Sequence, residues 1–167
     1  MAEGLARQGL AAGDRVALML RSDRDFFDVF FGALYAGCIP VPFYPPARMS
    51  QIEDHLRRSA GILADARAAV LVTVPQAKPL LHLLRVQCES LRRIVTPADL
   101  SVTAALPPIA RPAGDDTAFL QYTSGEHGRS QGSHTDACQS ARQSEGDGAC
   151  VARHGGRRVR ILVAALP

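Results

Sequence analysis

Short apolar runs and helically spaced segments alternate along the first three quarters of the chain, and this alternation limits the folds open to it. RVALML (15–20) and AAVLVTV (68–74) are continuous apolar runs with the length of a strand that is buried on both faces. The segment 25–36 between them has apolar residues at helical spacing. Strands that alternate with helices form a largely parallel sheet. The sequence therefore predicts an α/β fold with a mostly parallel sheet.

Glycine, proline and capping residues predict where the first elements begin and end. Ser22 or Asp23 can cap the helix 25–36 by accepting backbone N–H bonds, and Gly37 supplies the left-handed conformation that stops it. The four prolines of IPVPFYPPA (39–47) exclude a helix and favour an extended edge or a loop. The chain should therefore turn sharply after the first helix and continue in extended form.

The same signals predict the later elements. Ser50 and Glu53 have capping-box spacing at the start of a second helix, which should end near Asp65. The remaining predicted elements are a helix over 78–91, a short strand over 92–96, a surface connection over 97–116 and a strand over 117–123. The last strand runs directly into Thr-Ser-Gly, and α/β sheets present their ligand sites where a strand opens into a loop of small residues.

Composition narrows the class of protein without choosing a function. The 167 residues carry a net charge of +3 and are 47% apolar, which argues for neither nucleic-acid binding nor a membrane span. The first 15 residues lack the pattern of a secretory signal, so we expect a cytoplasmic protein. The four cysteines have no short paired spacing and are predicted to be reduced thiols.

The character of the chain changes abruptly at Gly125. All nine aromatic residues precede Gly125, whereas the residues after it are rich in Gly, Ser, Gln, Arg and His and show no regular spacing before RILVAAL. The histidines and cysteines of this tail fit no compact metal-ligand pattern, so no metal site is predicted. We therefore expect two regions, a folded one over 1–125 and a disordered or irregular tail over 126–167.

Three stretches of the folded region carry a resemblance to a known family. They are GDRVALML with DFFDVFFGALYAGCIPVPFYPP, then HLRRSAGILADARAAVLVT, and finally DDTAFLQYTSG. Together they resemble the AMP-forming acyl ligases of the adenylate-forming superfamily, and most closely its fatty acyl-AMP ligase branch, with the acyl-CoA synthetases related to it. The resemblance covers residues 1–125 and implies part of the N-terminal domain of such an enzyme.

This resemblance implies a reaction and its reactants. A fatty acid reacts with ATP, assisted by Mg²⁺, to form an acyl-adenylate, and the acyl group then passes to the thiol of an acyl-carrier protein or coenzyme A. Nucleic acid is not an implied partner. The family's later motifs and its carboxy-terminal domain lie beyond this chain, so we expect a truncated piece that is catalytically incomplete, with no catalytic residue of its own.

The phosphate loop of the family, YTSGSTGxPKG, is only half present. Glycines let a backbone approach phosphate oxygens, hydroxyls add donors, and a lysine neutralises charge. The positions that match this loop are Thr123, Ser124, Gly125, Gly128 and Gly132. The family's Ser, Thr, Pro and Lys are replaced here by Glu126, His127, Ser130 and Gln131. A carboxylate beside a polyphosphate and a missing lysine predict much weaker nucleotide binding.

A shift of reading frame would explain the broken loop. Residues from Glu126 onward can be back-translated so that the frame one nucleotide later reads STGDPKGVTLTHANL and, further on, SWLPLY, which again resembles the family. We therefore hypothesise one extra nucleotide just before codon 126, with out-of-frame translation after Gly125.

Other interpretations of these residues remain open. The whole chain could be a non-catalytic α/β interaction module that kept the fold and lost the loop. The stripe Phe26, Phe27, Phe30 and Phe31 could line an acyl tunnel, but aromatic residues at helical spacing favour a core role. His55, Arg57 and Arg58 are most simply a solvated helix face, with phosphate or acidic carrier-protein binding as the alternative.

Overall fold

A parallel four-stranded sheet organises the first hundred residues of this computed structural model, which describes residues 1–46, 52–82, 84–102, 116–123, 149–154 and 157–165. The helices are α1 (Ala2–Arg7), α2 (Arg24–Tyr35), α3 (Ile52–Asp65), α4 (Lys78–Leu81), α5 (Leu84–Gln87) and α6 (Pro97–Leu100). The strands are β1 (Arg15–Met19), β2 (Ile39–Phe43), β3 (Val70–Thr73), β4 (Arg93–Val95), β5 (Thr117–Thr123), β6 (Ala149–His154) and β7 (Arg157–Ala165). None of the described helices has the length and apolarity needed to cross a membrane.

The first sheet has the strand order β2-β1-β3-β4, and all three of its pairings are parallel. Strand β1 lies inside the sheet and pairs on both sides, with Ala17 opposite Val41 of β2 and opposite Leu71 of β3. The expected α/β class and the mostly parallel sheet are confirmed. The proline-rich segment forms the edge strand β2, as prolines require.

Burial on both faces explains why β1 and β3 are continuous apolar runs. Val16 and Leu18 of β1 pack on one face in a cluster with Val29 of α2 and Leu100 of α6. Ala17 and Met19 point to the other face, where Leu63 of α3, Leu81 of α4 and Leu84 of α5 cover them. A parallel sheet with helices on both faces needs apolar residues at every strand position.

Helix α2 begins and ends where the sequence predicts, but its aromatic stripe is not all core. The Asp23 side chain accepts the Phe26 backbone N–H at 3.2 Å, and Gly37 has a φ of +73°. Phe26 and Phe30 pack against the core, whereas Phe27 and Phe31 are 49% and 53% exposed. The expectation that all four rings are core is therefore wrong for two of them, because only one stripe of a helix can face a sheet.

Two later predictions also need correction. The helix expected over 78–91 is two short helices, α4 and α5, although Leu81, Leu84, Cys88 and Leu91 are buried at the expected spacing. Single turns of this kind are held by packing of their apolar face and not by helix propensity.

The second correction concerns the start of the expected surface connection. Pro97–Leu100 forms α6, capped by Thr96, and Leu100 is fully buried. Thr96 and Asp99 bond to each other's backbone N–H, a capping box with proline inside the first turn. Residues 103–115 of the same connection lie outside the described residues.

A second sheet has the order β5-β7-β6. Strand β7 is parallel to β5 and antiparallel to β6. Both β6 and β7 belong to the region expected to be irregular, so that expectation does not hold for 149–154 and 157–165. The apolar run RILVAAL has the composition of a strand, and most of it lies in β7.

Helices α1 and α6 approach each other closely at Gly4. A Cβ atom added at Gly4 would stand 2.1 Å from the backbone oxygen of Leu100. Gly4→Ala should therefore force the two helices apart and lower the free energy of unfolding by about 1–3 kcal/mol. Urea denaturation followed by far-UV circular dichroism measures this change.

Gly61→Ala is the matched control. Gly61 lies in the interior of α3, and no described atom is within 4 Å of an added Cβ. Because alanine favours helix, this variant should be as stable as the parent or more stable by up to about 1 kcal/mol. Equal losses of stability in the two variants would contradict the close approach at Gly4.

Candidate functional site

The predicted phosphate loop would begin at the end of β5. This strand has the predicted bounds, Thr117–Thr123, and Thr123 is its last residue, opposite Ala165 of β7. Ser124, Gly125, Gly128 and Gly132 lie outside the described residues. The loop itself therefore stays a prediction, and the structure shows how the strand that leads into it is held.

Aromatic and aliphatic contacts fix β5 from both of its faces. On one face, the Phe119 ring packs edge-on against Phe30 of α2, with ring centroids 5.7 Å apart. On the other face, Leu120 and Tyr122 pack against a cluster formed by Val41 of β2, Ile62 of α3 and Ala66, which follows α3. Successive residues of a strand point to opposite faces, so one short strand can be clamped between two layers.

A side-chain hydrogen bond holds the loop-proximal end of β5. The Tyr122 hydroxyl donates to the Asp65 carboxylate at 2.5 Å. Asp65 is the last residue of α3, so the bond ties the end of a helix to the end of the strand. Burial of the phenol, followed by its hydrogen bond to Asp65, raises the pKa of Tyr122 above its ordinary value of 10.0. This pair positions the strand.

The basic residues of α3 are only partly the solvated face that was predicted. Arg57 and Arg58 are exposed, and Arg57 lies 3.8 Å from the exposed carboxylate of Asp54. His55 is half-buried, and burial, followed by the nearby charge of Arg58, lowers the pKa of its imidazole. An imidazole that stays neutral adds little to an anion-binding surface, so this face is a weak candidate for phosphate recognition.

Two of the four cysteines, Cys38 and Cys88, are free thiols, as predicted. Cys38 and Cys88 are both buried, and neither is in a disulfide. Burial, with a smaller effect of Asp14, raises the pKa of Cys38 to about 11, and burial also raises the pKa of Cys88. Thiols in this state are poor nucleophiles and poor metal ligands.

The fold and the strand that opens into Thr-Ser-Gly agree with the comparison to known families. The family model described as AMP-binding enzyme matches residues 1–161. The chain belongs to the AMP-binding enzyme family. The resemblance predicted from the three sequence stretches is thereby confirmed.

Individual relatives of this family point to fatty acyl ligases. The chain is 33% identical over 116 residues to the long-chain-fatty-acid–AMP ligase FadD32 of Mycobacterium marinum, covering 68% of this chain and 18% of the relative. It is 29% identical over 138 residues to the long-chain-fatty-acid–CoA ligase FadD13 of Mycobacterium tuberculosis, covering 78% of this chain and 26% of the relative. The chain thus spans about a fifth to a quarter of the length of these relatives.

Solved structures give the same result for the fold. A structure from studies of fatty acyl-adenylate ligases from E. coli and L. pneumophila matches with a TM-score of 0.65 and 32% identity, covering 74% of this chain and 22% of that one. A fatty acyl CoA synthetase of Mycobacterium tuberculosis matches with a TM-score of 0.60 and 28% identity, covering 74% of this chain and 25% of that one. The parallel sheet is that of the N-terminal domain of AMP-binding enzymes.

The Tyr122–Asp65 bond has no signature in the sequence. The two residues are 57 positions apart, and no local pattern links them. The alternation of DDTAFLQYT indicates that Leu120 and Tyr122 share a face of the strand, but their partner depends on how α3 crosses the sheet. The Thr96–Asp99 capping box, in contrast, was readable from its Thr-Pro-x-Asp spacing and was missed.

Tyr122→Phe tests the bond at the end of β5. Losing the hydrogen bond should lower the free energy of unfolding by about 1 kcal/mol at neutral pH. The raised pKa of Tyr122 means that the folded chain holds the phenol proton above pH 10, where the unfolded chain releases it. The protonated Tyr122 phenol therefore makes its full contribution to the free energy of unfolding below pH 10. That contribution is lost as the pH rises above 10.

The measurement is urea denaturation of the parent and Tyr122→Phe chains below and above pH 10. The stability gap between the two chains should narrow at the higher pH, since only the parent has this titration. Tyr44→Phe is the matched control, because Tyr44 is 79% exposed. A gap that stays constant across this range would contradict the role given to the Tyr122 hydroxyl.

Proposed function

We propose that this chain is the amino-terminal part of an AMP-forming fatty acid ligase. Such an enzyme joins a fatty carboxylate to AMP and then transfers the acyl group to a thiol. The observation that carries the proposal is the family match over 1–161, together with relatives named as long-chain-fatty-acid–AMP and long-chain-fatty-acid–CoA ligases. The consumption of ATP by this reaction supports a cytoplasmic location.

In the proposed reaction, a carboxylate oxygen of the fatty acid attacks the α-phosphorus of ATP. A new oxygen–phosphorus bond forms, and the bond to the β-phosphate oxygen breaks to release pyrophosphate. The role assigned to Thr123, Ser124 and Gly125 is to bind phosphate oxygens through backbone N–H groups and hydroxyls. Strand β5 would present them because Phe30 and Asp65 fix its two faces.

Mg²⁺ supplies charge neutralisation on the departing phosphates in this chemistry when it is bound. No group of three His, Cys, Asp or Glu side chains in the described part of the chain could hold a metal ion. No step through the ion is therefore assigned to the described residues.

The acceptor of the acyl group is either coenzyme A or a carrier protein. The two curated relatives described above differ in this respect by name, one being an AMP ligase and the other a CoA ligase. Both kinds of acceptor present a thiol, so the first half of the reaction is the same.

We further propose that the chain as written does not complete this reaction. Glu126 and Gln131 put a negative charge into the loop and leave out its lysine. Hydrogen bonds to charged groups contribute about 1.5–3 kcal/mol each, so phosphate binding at the loop should fall by orders of magnitude. The back-translation into STGDPKG supports an extra nucleotide before codon 126 as the cause.

Fatty-acid-dependent exchange of pyrophosphate into ATP tests the activity. The 167-residue chain should give no exchange above background. A gene with one base removed before codon 126, extended in the restored frame, should encode a protein that exchanges pyrophosphate when a long-chain fatty acid is present. Exchange by the 167-residue chain itself would overturn its proposed inactivity.

Sequencing the locus across codons 120–135 tests the frameshift separately. Codons that read STGDPKG one nucleotide later, in a frame that stays open beyond codon 167, are the expected result. Codons that cannot be read in this way would refute the frameshift and leave the family assignment unaffected.

A further inference from the structure

A basic hollow lies at the edge of the first sheet that is farthest from β5. Its lining includes Gln8, Lys78, His82, Arg85, Arg93 and Asp99, and its volume is about 440 Å³. We call this set the basic hollow. It brings together side chains of α4, α5, α6 and strand β4 with Gln8, the residue that follows α1. The sequence signals for the phosphate loop do not involve any of these residues.

Positive charges outnumber negative ones in the basic hollow. Among the described lining residues, Asp99 has the only carboxylate, and it lies 2.9 Å from the Lys78 ammonium. The same carboxylate accepts the Thr96 backbone N–H at 2.8 Å. The Thr96 N–H, followed by the Lys78 ammonium, lowers the pKa of Asp99, so this group is ionised and committed to its present partners.

Neither arginine in the lining of the basic hollow is paired with a carboxylate of the described residues. Arg93 donates at 3.2 Å to the side-chain oxygen of Gln8, which is a neutral amide. Arg85 is exposed, and no carboxylate of the described residues pairs with it. Two guanidinium groups therefore line one concave surface with their charge uncompensated.

Guanidinium groups of this kind suit phosphate. The planar fork of arginine binds two oxygens of one phosphate at once, and a neighbouring ammonium adds a point charge. We propose that the basic hollow binds a soluble small molecule that carries two or more linked phosphate groups. This site goes beyond the proposed ligase function and does not depend on it.

The basic hollow is separate from the predicted phosphate loop. The sheet order places β4 at one edge and β2 at the other, and β2 is the strand that contacts β5. Three strand spacings, roughly 14 Å in total, separate the two edges. A phosphate bound beside β4 would therefore lie at the edge of the sheet opposite to the end of β5, where the predicted loop begins.

The shape of the hollow favours a soluble phosphate over a lipid headgroup. The apolar residues in its lining, Ile94 and Val95, are buried and exposed by only 6% each. A membrane-binding surface combines basic residues with exposed apolar side chains that enter the lipid. None of the described apolar residues that form this lining is exposed.

Isothermal titration of the full chain with inorganic pyrophosphate tests the proposal. Arg85→Gln and Arg93→Gln should each weaken binding about fivefold, the expected effect of one exposed charge. Asp99→Asn should strengthen binding about fivefold, because it removes the opposing charge yet keeps an oxygen for the Thr96 N–H. A gain in affinity cannot result from partial unfolding.

Arg57→Gln is the matched control for total charge. Arg57 lies on α3, is exposed, and does not line the hollow, so its loss should leave pyrophosphate affinity unchanged. Cosedimentation with phosphatidylcholine vesicles that contain phosphatidic acid distinguishes the lipid source of phosphate. Little binding to these vesicles is expected.

Three results would overturn the proposal. The first is that the parent chain shows no saturable binding of pyrophosphate. The second is that Arg85, Arg93 and Asp99 variants bind as the parent does, or that Arg57→Gln weakens binding as much as they do. The third is tight binding to the phosphatidic acid vesicles without binding of free pyrophosphate.

Discussion

The structure depends on the burial of β1 from both faces and its pairing on both sides. Val16 and Leu18 on one face, and Ala17 and Met19 on the other, have no exposure to solvent. Because every position is covered, a shift of β1 by one residue would still bury apolar groups, so its register must come from its neighbours. The parallel pairings with β2 and β3 provide it, and the helices on both faces follow from the crossovers that parallel strands require.

The candidate site is built on this sheet through a second set of contacts. Strand β5 is not hydrogen-bonded to the first sheet, yet Phe119 packs on α2 and Tyr122 bonds to the end of α3. Both helices are crossovers of the first sheet, so their positions are already fixed. The strand that leads into the predicted phosphate loop thus contacts the first sheet through side chains of α2, α3 and β2 and not through a ladder of its own with that sheet.

The sequence predicted the parts of this protein that depend on local patterns. The bounds of α2 and β5, the left-handed Gly37 and the parallel sheet follow from periodicity, caps and alternation. It did not predict which of the adjacent rings in α2 face outward, because that depends on where the helix lies on the sheet. Nor did it predict the Tyr122–Asp65 bond or the basic hollow, whose members come from segments far apart in the chain. Of the five loop residues, only Thr123 lies in the described structure, so the loop remains a prediction.

The last strand of the first sheet ends at Val95, well before the change of character at Gly125. All four of its strands and the helices on both faces precede Ser101. The residues after Gly125 therefore contribute no strand to this sheet. A change of reading frame after Gly125 would alter the end of the product and leave intact the sequence that specifies this sheet and the helices on its two faces.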